Sequence, residues 1–343
     1  MVRKALNSPC LVYLRQALSF IFIYEGATFL RLNMFKYKFE INKEGCWAYW
    51  AQSSIRWNWY FNQGEANKWK EFTGEFTVEE ENGLNRLREI LQKEGNAYLW
   101  LWDRYENNQI ENKEGKESWE KIKSVLADKF EKIWQIEKPK LEAWKKELEQ
   151  LDLKDKEDNL KRIFNFFGVF NQEKEIKAKL LFGFGKKAGG ATKKEFPNLM
   201  ILLLSGADLK DRRFVLNVLL HESLHLLEYS SEKDLLFRQS FKEILAPLKI
   251  KQSQPSWRHL ITESIIGSII GRGVGCWDKG ESKEITGIFV DKEKNRNHFY
   301  NQKILLISQK LAPLTEKYLK NNKEMDSVYT DQVLEILKEE LVD

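Results

Sequence analysis

From Met34 onward apolar and polar residues alternate. Phe35, Tyr37, Phe39 and Ile41 are separated by Lys36, Lys38 and Glu40, and this period of two predicts a first strand. The same period runs through 47–61. Trp47, Tyr49, Ala51, Ile55, Trp57, Trp59 and Phe61 hold odd positions, and Gln52, Ser54, Arg56 and Asn58 hold even ones, which predicts two strands with a turn near Gln52-Ser53-Ser54. The period then lengthens. Thr77 followed by Glu80 has the form of a capping box, and Leu84, Leu87, Ile90 and Leu91 line one face of a helix reaching about Lys93. Tyr98–Trp102 reads as a short strand or buried turn. The charged stretch Trp119–Leu151 reads as two helices separated at Pro139, because proline lacks the N–H that a continuing helix needs. Ile163–Phe170 suggests one more short helix.

Residues 181–191 are rich in glycine but lack the G-x-x-x-x-G-K-[ST] spacing of a phosphate loop, so turns beside a sheet edge are expected. Leu199–Leu204 is a continuous apolar run bounded by Pro197 and Ser205-Gly206, the pattern of a buried strand. A helix capped by Asp208 or Asp211 follows. It carries Phe214, Val215, Leu216, Val218, Leu219, Leu220, Leu224, Leu226 and Leu227, apolar on nearly every face and therefore buried.

The polar exceptions in the middle of that helix are His221, Glu222 and His225, which spell H-E-x-x-H. Residues four apart lie one above the other, so the two imidazoles can converge on one metal ion. Glu222 then stands beside them, within reach of a water on that ion. The chain has only four histidines, so their meeting at this spacing carries weight. The alternative is a pair of buried histidines satisfied by carboxylates or carbonyls. A catalytic zinc usually takes three protein ligands and a water. Glu228 lies on the same continuing helix and would reach past the metal. Glu263 is the stronger candidate, a lone carboxylate among apolar and small residues in Trp257–Ile270, with an ion pair to Arg258 or His259 as its alternative role. Ser264, Gly267 and Ser268 beside it permit a close helix–helix approach.

Composition and charge narrow the classes. Hydrophobic residues make up 42% and charged residues 31%, enough for a packed core. The formal charge is +5, and much of it lies in 1–33, where Arg3, Lys4, Arg15 and Arg31 face a single acid, Glu25. Elsewhere Lys and Glu interleave as on solvated helix faces, so a nucleic-acid partner is not expected. Cys10, Cys46 and Cys276 form no disulfide framework, which favours a reducing, cytoplasmic setting. The apolar run at 17–24 is too short to span a membrane, and no membrane span is expected after residue 33; export or N-terminal anchoring through 1–33 is the alternative. Three units are expected: a leader or upstream translation over 1–33, a Trp-rich α+β domain over 34–155 ending in a charged helical hairpin, and a catalytic domain over 156–343. Ten of the twelve tryptophans precede residue 150, and filling a small core explains them better than a binding platform does.

Over roughly 180–310 the chain resembles the gluzincins, zinc metallopeptidases with a thermolysin-like active-site core. The likeness rests on the Leu199–Leu204 strand, the His221-Glu222-Ser223-Leu224-His225 helix and the later helix bearing Glu263. It implies an α+β, zincin-like domain with a small mixed sheet, a buried active-site helix and a mainly helical C-terminal part. It further implies one zinc (Zn2+) per chain on His221, His225 and Glu263, with Glu222 as general base. The strand would line the cleft and pair with an extended peptide, and the substrate would be a peptide or protein. No longer subfamily signature surrounds Glu263. A second electrophile for the oxyanion is sought downstream, at Tyr300, which combines reach with a neutral donor, at His298, or at His259, which also suits orienting Glu263. Two rivals stand beside this reading. One is a di-iron protein using Glu222-x-x-His225, whose second E-x-x-H is missing. The other is a catalytically silent zincin-like scaffold or binding protein using the Trp-rich domain.

Overall fold

The computed structural model describes residues 35–55, 69–93, 113–150, 157–169, 174–183, 189–204, 209, 212–231, 257–270 and 297–342. The alternating start forms strand β1 (Phe35–Ile41), as expected. The first part of the second alternating stretch is not a strand: Lys43–Ser54 is a helix, α1, and 56–61 lie outside the described residues. Its even positions explain the difference. Cys46, Ala48 and Trp50 are as apolar as their odd neighbours, so the residues from Gly45 to Ser53 are buried on every side and give no periodic signal. Asn42 starts the helix by accepting a hydrogen bond from the Gly45 N–H.

Helix α2 (Val78–Lys93) opens with the expected capping box. The Thr77 N–H donates to Glu80 Oε2 at 2.6 Å, and the Glu80 N–H donates to Thr77 Oγ1 at 3.3 Å. The two expected charged helices are one, α3 (Lys113–Glu149), running through Pro139. Interior proline costs a helix about 3 kcal/mol. Here its ring lies on the exposed face, while Phe130, Ile133 and Trp134 before it and Leu141, Trp144 and Leu148 after it are buried in the same core. Burial on both sides of the proline outweighs its local cost. Helix α4 (Glu157–Phe166) follows, then strands β2 (Lys174–Leu181), β3 (Gly189–Thr192) and β4 (Leu199–Leu203). Four helices follow among the described residues: α5 (Arg212–Ser230), α6 (Trp257–Ile270), α7 (Asn297–Lys320) and α8 (Ser327–Val342).

The strands form one mixed sheet in the order β1-β2-β4-β3. β1, β2 and β4 are parallel, and β3 runs antiparallel to β4 at the edge. The molecule is thus α+β and mainly helical around a small sheet, as the sequence indicates. The boundary drawn at residue 155 passes between paired strands, since β1 precedes it and β2 follows it, and buried side chains from both stretches share one apolar cluster. The buried strand expected at Leu199–Leu204 is β4, but it lies inside the sheet. With β2 on one side and β3 on the other it has no free edge for a peptide, so the pairing role implied for it is corrected: the edge strands are β1 and β3. The Tyr98–Trp102 stretch and residues 1–33 lie outside the described residues.

Helix α5 rests on this sheet and is anchored from several strands. From β1, the Tyr37 hydroxyl bonds Ser223 Oγ at 2.8 Å, and Ser223 Oγ donates to the Leu219 carbonyl. From β2, Lys174 Nζ donates to the Leu226 carbonyl at 2.6 Å and to Ser230 Oγ, near the helix C-terminus where a cation is favoured. Helix α6 packs between α5 and α7. Gly267 makes the expected close approach: a Cβ built there would stand 2.5 Å from Ser308 Oγ on α7. Ser268 Oγ lies 2.8 Å from Thr315 Oγ1, which lies 2.8 Å from the Tyr329 hydroxyl on α8. Among the described residues no helix is long and apolar enough to cross a membrane.

Candidate metal centre

His221 and His225 lie one turn apart on α5, and both turn Nε2 toward α6. The two Nε2 atoms are 3.1 Å apart. Glu263 of α6 completes the group, with Oε2 3.3 Å from His221 Nε2 and Oε1 3.1 Å from His225 Nε2. Protons alone satisfy this triangle poorly. If both Nε2 atoms carry hydrogens for Glu263, two N–H groups face each other. If one is bare, its lone pair faces a carboxylate oxygen. A cation at the centre turns every one of these lone pairs to use. The spacing suits one: four ligands held about 2.0–2.1 Å from zinc in a tetrahedron stand roughly 3.3 Å from one another. Among the described residues this is the one group of three or more His, Cys, Asp or Glu side chains placed to hold a metal.

The packing fixes the trio. Glu263 and His225 are buried, at 6% and 7% exposure, and His221 is somewhat more open. His225 Nδ1 is buried and makes no hydrogen bond, so what Nε2 meets decides how the ring is held. Glu228 lies on the unbroken α5 as expected and accepts from Thr262 Oγ1 at 3.4 Å, a tie between α5 and α6 beside the trio. Burial alone would raise the Glu263 pKa, but the His225 and His221 charges and hydrogen bonds overcome it and hold the carboxyl well below its usual range. Burial acts to lower His225, and Glu263 outweighs it and lifts the imidazole to about 9. Glu222 is pushed up by burial, against the opposing pull of the two histidines.

Glu222 leaves the trio's face of α5 and points to β3. The Thr192 hydroxyl donates to Glu222 Oε2 at 3.2 Å. A Cβ built on Gly190 would stand 2.7 Å from Glu222 Oε1. One turn beyond His225, the Tyr229 ring stacks on the imidazole with centroids 6.2 Å apart. Burial raises that phenol to about 12, so it is a neutral donor at any ordinary pH.

The four residues singled out most strongly in the sequence, His221, Glu222, His225 and Glu263, are thus brought together. His298 and Tyr300 fall in the first turn of α7 and His259 in the first turn of α6, but their side chains lie outside the described residues. Gly190, Thr192 and Tyr229 escaped the sequence reading. The signals for them were faint: a glycine and a threonine two apart in a short strand, and a tyrosine continuing the four-residue spacing of the histidines. Compared with models of known protein families, with curated proteins and with solved structures, the chain matches none.

Proposed function

We propose that the protein is a zinc-dependent peptidase whose zincin-like catalytic unit binds one zinc through His221, His225 and Glu263 and uses Glu222 as general base. The observation that carries this reading is the convergence of two Nε2 atoms and a carboxylate at ligand spacing, with a second carboxylate on the same helix beside them. Zinc bound there supplies a Lewis acid that polarises a carbonyl and lowers the pKa of water. The other roles fall to the chain itself. Glu222, its pKa raised by burial, is suited to accept a proton from the attacking water and return it to the leaving amine. On the sheet side it meets Gly190 and Thr192 of β3. The outer edge of β3, with which no described strand pairs, offers backbone groups to an extended peptide, so β3 takes the role that β4 cannot.

The test is metal analysis of the purified full chain, followed by digestion of a peptide library by the wild type and by Glu222→Gln. Gln keeps the shape but cannot accept a proton. The variant is expected to keep one zinc and lose about 10²–10⁴-fold in turnover, the usual contribution of a positioned base. A wild type that takes up no zinc at micromolar free metal, or a Glu222→Gln chain as active as wild type, would sink the reading.

A further inference from the structure

Strand β3 does more than border the sheet. Its residues 190 and 192 share one face, as alternate residues of a strand must, and both meet the Glu222 side chain. Gly190 is not there for its backbone freedom. Among the described residues positive φ occurs at Gly74, Gly168 and Asn322, and not at Gly190. What this site requires is space, because any Cβ would press on Glu222 Cγ and Oε1. Two positions on, Thr192 holds the other carboxylate oxygen with its hydroxyl. That hydroxyl has one proton, and the proton goes to the carboxylate. One carboxylate oxygen is thus gated by the missing side chain of Gly190, and the other is tied by the Thr192 hydroxyl.

We propose that Gly190 and Thr192 are positioning residues that seat Glu222 against β3. The same short strand whose outer edge faces a peptide would then fix the residue that acts on it, so that register along β3 and aim of the base are set by one element. This rests on Glu222 being the general base, but the placement itself does not. Neither residue belongs to the ligand trio, so altering Gly190 or Thr192 should leave zinc binding in place.

The experiment uses three variants of the full chain loaded with zinc: Thr192→Val, which keeps the branched shape and strand preference, Thr192→Ser, which restores the hydroxyl, and Gly190→Ala. Crystal structures are expected to show the Glu222 carboxylate displaced by about 1 Å or more in Thr192→Val and Gly190→Ala and returned in Thr192→Ser, with one zinc in each. On a peptide substrate, kcat is expected to fall about 10²-fold in the two displaced variants, the order of loss that a 1 Å misplacement brings, while KM holds and Thr192→Ser recovers. Should Gly190→Ala fail to fold, Thr192→Val and Thr192→Ser still decide the matter. A Glu222 carboxylate that stays in place in Thr192→Val, or a loss that Thr192→Ser does not recover, overturns the proposal. If the wild type cleaves no peptide, the peptidase reading falls by itself, and the seating of Glu222 is still judged by where its carboxylate lies.

Discussion

Glu263 Oε1 stands 3.1 Å from His225 Nε2, although the two residues belong to different helices, and the same carboxylate reaches His221 Nε2 through Oε2 at 3.3 Å. Without a metal the pair is an ion pair in a buried place, with the carboxyl held low and the imidazole raised to about 9. Removing Glu263 takes away the carboxylate that bridges the two imidazoles. Glu263→Ala is expected to lower zinc affinity by at least about 100-fold, the upper range for losing even a residue that only orients a ligand. Competition with a chromogenic chelator measures this. Zinc at 100 times its Kd should raise wild-type stability by about 2.7 kcal/mol, and the variant should gain much less at the same concentration. Equal gains in both proteins would exclude Glu263 as a ligand.

The parts of the fold that could be read from the sequence were those in which one local interaction settles the structure. The Thr77–Glu80 box, the alternation of β1 and the apolar run of β4 are of this kind. His221, Glu222 and His225 were legible for the same reason, since helix geometry alone brings them together. Glu263 could be inferred because a carboxylate among isoleucines must have a partner. What failed depended on distant neighbours. α1 is buried on all sides by elements far along the chain, so its residues carry no periodic mark of a helix. Pro139 is spanned because apolar side chains on both sides of it share one core. Thr192 and Gly190 reach Glu222 only through the sheet order β1-β2-β4-β3, which no spacing within β3 reveals.

Gly267 lies one turn after Glu263 on α6, where that helix presses on Ser308 of α7. Ser308 Oγ is not free to retreat, because it donates to the Ile304 carbonyl at 2.7 Å. In an open helix, replacing glycine by alanine stabilises by roughly 0.5–1 kcal/mol. Here the new methyl would sit 2.5 Å from Ser308 Oγ and 3.1 Å from its Cβ, and overpacking of this kind costs about 1–3 kcal/mol. Gly267→Ala is therefore expected to destabilise by about 1 kcal/mol net in urea unfolding. Adding Ser308→Gly should recover most of that, a coupling between neighbours that independent sites do not show. A Gly267→Ala protein more stable than wild type would mean that the helices are not in this contact.

Lys174 gives the pH-dependent case. Its Nζ is buried under the C-terminal turn of α5, bonded to the Leu226 carbonyl and Ser230 Oγ, with 9% of the residue exposed. Burial lowers its pKa from the usual 10.5 to about 8. The direction of the stability effect follows from proton counts. Below pH 8 the lysine is charged in both folded and unfolded chains and contributes no slope. Between about 8 and 10.5 the folded chain has released the proton while the unfolded chain still holds it. The unfolded state then binds more protons, so stability attributable to Lys174 rises with pH across this window. Other groups titrate there too, and Lys174→Met isolates the effect because it keeps the unbranched stem without the amine. The stability of wild type relative to Lys174→Met is expected to be flat from pH 6.5 to 7.5 and to rise by roughly 1–2 kcal/mol between pH 8 and 10, somewhat less than the full shift would give because the amine keeps its hydrogen bonds. Paired denaturant melts across that range measure it. A difference that stays flat, or that falls as pH rises, would show that the Lys174 ammonium is not held away from water under α5.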